Sequence, residues 1–410
     1  MPAEPSLHSP KHLGVWHRHT GQAASKTRKI SSSESSEPVV DPGTLEISVS
    51  DPQRIGDGMG SYMVYNLNTK TTMKGFAQPS FEVQHRYSDF HALYKYLVEK
   101  YPGLLVPPPP PKSAVGTGMM KFKSQGDEVT PFIEQRQFAL ERFMQRIAAH
   151  PILRSDDVFK TFLTTETKVA KPKASAIASL MSKLSTYTEA DEWFADKTGE
   201  LEALEGQLKK LHAMLEQLVA KRKELAHHTT FFAESFAELA DAEEVESLKS
   251  AMHQMADVEA RVARLHGKQE RRDFFDMSEI VADFVSLCGA MKICFEQRIG
   301  AFRAWQNAET NLVKKRDLEA KYTASNRTDK LDQAAQDVTD AEEAVKTTRA
   351  NFEQISSLIK KEWKRFDISR ANELKASLVE YVESMMTLQH QVVKAWEGFL
   401  PEAKSIGQDA

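Results

Sequence analysis

"FEVQHRYSDFHALYKYL", residues 81–97, joins two kinds of secondary structure. Phe81 and Val83 alternate with polar neighbours, as in a half-buried strand, whereas Phe90, Leu93 and Leu97 recur at helical spacing. Between the two patterns stand His85, Arg86 and Tyr87, then Ser88 and Asp89 to open the helix and Phe90 to anchor it. A histidine, an arginine and a tyrosine at such a handover suit a catalytic corner, a binding site or a plain surface turn. The surrounding chain has to decide among them.

Upstream, "LEISVS" alternates with Leu45, Ile47 and Val49 on one face, and "SYMVYNLNTKT" does so less cleanly. Between them, "PQRIGDGMG" holds Gly56, Gly58 and Gly60. A phosphate-binding glycine loop must open a helix after a strand. Here a second strand follows, so the stretch reads as a hairpin loop. Downstream, the helix stops at Pro102-Gly103, and Pro107 to Pro111 impose a polyproline II segment. The loop "SAVGTGMMKFKSQGDEV" follows, then a second helix from Pro131, "PFIEQRQFALERFMQRIAAHP", with Phe132, Ala139, Phe143 and Ile147 marking its apolar face. A three-stranded antiparallel sheet with helices makes a compact α+β domain over residues 43–165.

The flanks read differently. Residues 1–42, with "SSSESSEP", are too polar to bury a core and are expected to be a disordered tail. Residues 166–187 form a basic linker with an amphipathic helix, in which Ile177, Leu180, Met181, Leu184 and Tyr187 share a face. Residues 188–404 read almost wholly helical. Leu201, Leu204, Leu208, Leu211, Leu215 and Leu218, then Leu225, Phe232, Phe236 and Leu239, alternate spacings of three and four, broken only at Arg222 and Thr229. No proline falls between Pro172 and Pro401. Breaks are expected near residues 240–244 and 323–330, with Asn326 ending one helix and Thr328 or Asp329 capping the next. The expectation is three long antiparallel helices, followed by a short tail at 405–410. Phe274, Phe275 and Ile280 lie off the main register, a surplus that predicts a second chain covering the bundle.

Composition narrows the chemistry. The 410 residues carry a formal net charge of −4, so any affinity for anions must come from local patches. Cys288 and Cys294 fall in an apolar helical pattern and read as buried thiols of a reducing compartment. The N-terminal stretch has no continuous apolar core of a secretory signal, and no run approaches the ~18 apolar residues of a membrane span. The chain is therefore expected in the cytoplasm, touching membranes only peripherally. No catalytic motif, metal-ligand spacing, cofactor signature or nucleic-acid module is found, and the adjacent His227 and His228 point apart on a helix.

Anion chemistry is what remains. The planar fork of Arg86 suits bidentate grip of a phosphate, and Tyr87 offers an aromatic face. Lys112 ends the rigid proline run, and Arg136 lies on the second helix. Met119, Met120 and Phe122, interleaved with Lys121 and Lys123, suit a loop that dips into a lipid interface.

Together, the "HRYSDF" junction, the proline run ending in a lysine and the arginine on the following helix resemble the phox-homology (PX) domain. That resemblance implies binding of phosphoinositides, most often phosphatidylinositol 3-phosphate. Arg86 would hold the 3-phosphate, Tyr87 would stack under the inositol ring, Lys112 would contact the 1-phosphate, and Arg136 would bond the 4- and 5-hydroxyls. Met119, Met120 and Phe122 would be the membrane-inserting loop. His85 departs from the family's usual arginine, and strand alternation turns it away from Arg86. The helical half, with "RRDFFDMSEIVADFVSL" and "AWEGFLPEAKSI", resembles the BAR domains of retromer-associated sorting nexins.

A dimeric crescent on early endosome membranes is implied, pairing with itself or with another BAR-class sorting nexin and working with retromer. Ile177, Leu180, Met181 and Leu184 would wedge into the bilayer. Lys314, Lys315, Arg316, Lys321, Arg327 and Lys330 would form a basic tip facing anionic lipid. The rival reading is a coiled-coil tether whose small domain binds protein rather than lipid.

Overall fold

Alternating apolar residues set three segments into one antiparallel sheet: β1 (Leu45–Ile55), β2 (Tyr62–Thr71) and β3 (Ser80–Arg86), in that spatial order. The structure is a computed structural model and describes residues 43–56, 61–111, 131–167, 169 and 189–406. Val49 pairs with Leu67 and Leu67 with Val83, so apolar side chains stack across the buried face. The glycine-bearing stretch after β1 leads into a strand, as a hairpin requires and a phosphate loop does not. β1 is longer than "LEISVS" because a bulge between Ser50 and Gln53, with Asp51 at φ 45°, lets Pro52 sit in an edge strand.

Helix α1 (Tyr87–Lys100) buries Phe90, Leu93, Leu97 and Val98 against the sheet. Helix α2 (Pro131–Ala149) covers the open edge of β1. Gln137 and Gln145 donate to the Val49 and Ile47 carbonyls (2.9 and 3.2 Å), and Glu141 accepts from the Val49 N–H (2.8 Å). These side chains satisfy backbone groups that an edge strand leaves bare. The buried face of α2 differs from the expected one. Phe143 and Ile147 are in the core, but their companions are Ile133, Leu140 and Met144, whereas Phe132 and Ala139 are half-buried. Helix α3 (Asp157–Thr164) starts at Asp156, whose carboxylate accepts from Phe159 N–H, Lys100 Nζ and Tyr101 OH (2.9, 2.7 and 2.8 Å).

The rest of the described chain is helical: α4 (Glu192–Asp241), α5 (Glu246–Arg272), a π-helical turn (Asp273–Ser278), α6 (Glu279–Ala324) and α7 (Thr328–Ser405). The π turn keeps α5 and α6 continuous, so three long legs result. α7 alone has 78 residues, roughly 120 Å at 1.5 Å per residue. Cross-contacts fix the antiparallel register: Ser250 meets Glu402, Arg298 meets Ser356, and Lys315 meets Asp337. Both expected breaks are present. At the first, the Glu243 carboxylate accepts from the N–H groups of Glu244 and Val245 (2.9 and 3.0 Å). At the second, Asn326 adopts φ 52°, a conformation asparagine tolerates. Neither Thr328 nor Asp329 caps α7; Arg327 holds the N-cap position without a side-chain bond.

The sheet domain is seated on the bundle through the chain between α1 and the proline run. Gly103 (φ 84°) passes so close to α7 that an added Cβ would lie 3.2 Å from Ile355 Cγ2. Leu104 joins the sheet-side core while Leu105 packs against the bundle core. The buried Cys294 thiol donates to the Leu104 carbonyl (3.2 Å), and Gln297 bonds Gly103 N–H and Val98 O (2.8 and 3.1 Å). Arg146 of α2 bridges Asp283 and Glu373 at 2.5 Å each.

Candidate headgroup-binding corner

Three of the expected site residues meet where β3 hands over to α1. Arg86 is the last residue of β3 and the N-cap of α1. The Asp89 carboxylate accepts from the Arg86 N–H (3.1 Å), satisfying an orphan donor of the first turn, and from Arg86 Nε (3.2 Å). The side chain is thereby fixed by its Nε end, with the guanidinium 5.9 Å from the Tyr62 ring. Its side chain remains 40% exposed, and among the described residues no partner takes either Nη group.

Tyr87 follows as the first residue of α1. Its hydroxyl donates to the Pro110 carbonyl (2.6 Å), tying the proline run to the corner. The Arg136 guanidinium lies 4.7 Å over the Tyr87 ring and 4.2 Å over Phe132, a cation held between two aromatic faces. Burial raises the Tyr87 phenol above its ordinary pKa, opposed by the Arg136 charge. The corner thus offers two guanidinium groups around an aromatic ring, a set of donors suited to a phosphorylated, hydroxyl-rich ring. Lys112 lies outside the described residues, as do Met119, Met120 and Phe122 of the loop and Ile177, Leu180, Met181 and Leu184 of the amphipathic stretch.

His85 points the other way. It is 2% exposed, stacks on Phe162 (3.8 Å, 8°) and donates from Nε2 to the Phe162 carbonyl (2.8 Å). Burial lowers its pKa, partly offset by that hydrogen bond. A histidine here fills the core and takes no part in the corner.

The six tip cations flank the α6–α7 turn, but they are unequal. Lys315 pairs with Asp337 and Arg316 with Glu342, at 2.7 Å each. Lys330 lies 5.7 Å over the Tyr322 ring. Lys314, Lys321 and Arg327 are exposed, with no acidic partner among the described residues.

Phe274, Phe275 and Ile280 are half-buried. Phe275 packs on Phe138 of α2 at 5.1 Å, and Ile280 against the bundle core, so α2 of the same chain takes part of this surplus. The apolar side chains left in solvent lie elsewhere. Leu211, Leu218, Leu225, Phe232 and Leu239 are all exposed on α4, and Val379, Met386, Val393 and Leu400 on α7. Both sets repeat every seven residues, the spacing of a coiled-coil seam. That strict repeat was the sequence signal for an unpartnered face. It was masked on α4 by the buried leucines interleaved with it.

Comparison with known proteins agrees with this architecture. Residues 73–166 match the model of the PX domain, and residues 169–402 match "Vps5 C terminal like". Rat sorting nexin-1 is 37% identical over 377 residues, covering 88% of this chain and 72% of that protein. Human sorting nexin-2 is 37% identical over 380 residues, covering 88% and 73%. The cryo-EM structure of the SNX-BAR Mvp1 tetramer shares the fold, with a TM-score of 0.60 and 15% identity over 86% of this chain and 99% of that one. Among the described residues no helix is long and apolar enough to cross a membrane. A PX fold joined to a Vps5-like helical bundle, with 37% identity to two sorting nexins over most of both lengths, places the chain in the PX-BAR class of the sorting nexin family, whose membership implies membrane binding and curvature sensing.

Proposed function

We propose that this chain is a non-catalytic peripheral membrane protein that reads phosphatidylinositol 3-phosphate on the cytoplasmic face of early endosomes. It acts as a BAR dimer, with itself or with another BAR-class sorting nexin, and supports retromer-linked cargo sorting. The domain division is residues 43–165 for lipid reading and 188–404 for dimerisation and curvature. Arg86, Tyr87 and Arg136 bind the headgroup, with Lys112 completing the site. Met119, Met120 and Phe122 enter the bilayer beside it, and the helix carrying Ile177, Leu180, Met181 and Leu184 wedges into the same leaflet.

The observation that carries this reading is the fixed corner in which Arg136 stands 4.7 Å over Tyr87 beside the half-exposed Arg86. The Nη groups of Arg86 supply a phosphate fork already held at one end, which reduces the ordering cost of binding. Lys314, Lys321 and Arg327 are the tip cations most available to anionic lipid. The test is co-sedimentation with vesicles containing phosphatidylinositol 3-phosphate. Arg86→Gln removes the fork while keeping size and polarity. It is expected to weaken binding by at least tenfold, with helical content and mass unchanged. Undiminished binding by that variant would sink the headgroup assignment.

A further inference from the structure

Helix α5 presents Arg261, Arg264 and Lys268 at i, i+3 and i+7, a spacing that puts all three on one face. The antiparallel register brings α7 alongside, where Gln391 and Lys394 stand one turn apart. These five side chains, over a floor of buried Leu265, line a cleft of about 390 Å³. Among the described residues no carboxylate lines it. Among the described residues none of the four cations is in an ion pair, even though Asp257 sits one turn before Arg261. Cations elsewhere on the same helices are matched: Arg271 with Glu134, and Arg272 with Asp276. Four like charges converging on one concavity repel one another, an arrangement that a bound polyanion relieves.

We propose that this cleft is a second anion site, taking a compact ligand that bears several phosphates. Two arginines can each grip a phosphate bidentately, while the lysines act as point charges and Gln391 supplies an amide donor for a hydroxyl. The volume is that of a small-ligand pocket. Leu265, the one apolar lining residue among those described, is too little to seat the side chains of a peptide. The site is separate from the headgroup corner, which uses α1 and α2, and does not depend on that assignment. It also lies off the apolar seam of α7, because helical residues one and two positions apart do not share a face. The shared ligand chemistry is an inositol polyphosphate, whether free in solution or displayed as a lipid headgroup.

The experiment uses the full chain carrying Arg86→Gln, so that the corner contributes at least tenfold less. Inositol 1,4,5-trisphosphate is titrated by calorimetry. In parallel, the protein is sedimented with vesicles containing phosphatidylinositol 4,5-bisphosphate and with phosphatidylserine vesicles of equal surface charge. One saturable site per chain is expected. It should weaken about tenfold or more in Arg264→Ala/Lys268→Ala, and change less than about twofold when Lys361→Ala/Lys364→Ala removes the same charge elsewhere on α7. Preference for the bisphosphate vesicles over the soluble trisphosphate assigns the site to a membrane headgroup; the reverse assigns it to a free inositol phosphate. No saturable binding, equal losses from both double variants, or equal displacement by an acidic peptide overturns the proposal. The substituted side chains are exposed and unpaired, so folding is unaffected, and circular dichroism checks this.

Discussion

At the scale of single residues, His85 and Arg86 show how strand geometry separates neighbouring jobs. Period-2 alternation sends Arg86 to the corner and His85 into the core, so a histidine in a suggestive motif becomes a buried donor. Its effect is on stability. Because burial lowers its folded pKa below the ordinary 6.5, the unfolded chain binds the extra proton first as pH falls. The contribution of His85 to stability is therefore full above about pH 6.5 and declines as pH drops from there towards the folded pKa. His85→Phe keeps the stack on Phe162 but leaves its carbonyl without this donor, at a cost of about 1–3 kcal/mol. It should also reduce the pH dependence of urea unfolding below pH 6.5, leaving the part due to His266, whose pKa burial lowers as well. A slope undiminished in the variant would remove His85 from the titrating groups. The placement of Arg86 and Tyr87 where a strand hands over to a helix was legible in the sequence, since the switch from alternating to helical apolar spacing marks it. The tie from Asp89 to Arg86 Nε and the seating of Arg136 between Tyr87 and Phe132 were not. They depend on rotamers and on the approach of α2, which no local pattern encodes.

At the scale of elements, the interruption of the heptads at Arg222 has a structural cause. Asp273, fully buried at the start of the π turn, is in contact with Arg222 of α4 and accepts from Gln269 Nε2 (2.7 Å) and Tyr381 OH (2.9 Å). One carboxylate thus ties all three legs together. A buried ion pair of this kind adds little net stability but is costly to break, because the surviving charge is left stranded. Arg222→Ala is expected to destabilise the bundle by about 3–5 kcal/mol in denaturant unfolding, whereas Arg222→Leu with Asp273→Leu should restore most of that loss. A double variant no better than the single one would show that the node contributes more than charge balance. The helices and both turns were readable from periodicity and from the absence of proline. The partner of Arg222 was not, being 51 positions along the chain in a segment whose phenylalanines read as surplus apolar surface. The face of α2 was misphased for a related reason: Phe132 and Ala139 look like core residues until Arg136 and the bundle compete for them.

At the scale of the whole molecule, the exposed seams decide the assembly. A lone chain leaves Leu211, Leu218, Leu225, Phe232 and Leu239 in water along one leg, and Val379, Met386, Val393 and Leu400 along another. Solvent-facing rows of that length at seven-residue spacing are what a coiled-coil partner covers. Charge substitutions at one position on each row should separate a dimer without touching the intramolecular core. Phe232→Glu with Met386→Glu is expected to halve the mass measured by light scattering at micromolar concentration while helical content is retained. Phe275→Ala, which instead loosens the contact with Phe138 inside one chain, should leave the mass unchanged. The consequence for membranes follows from valency. If the proposed corner is the headgroup site, two corners in one dimer make the second binding event intramolecular and raise avidity on the order of 10²-fold, and the charged double variant should lose about that factor on vesicles while each corner keeps its own affinity for soluble headgroup. A double variant that stays dimeric would shift the interface back to Phe274, Phe275 and Ile280. One that becomes monomeric yet binds vesicles undiminished would separate membrane docking from dimerisation altogether.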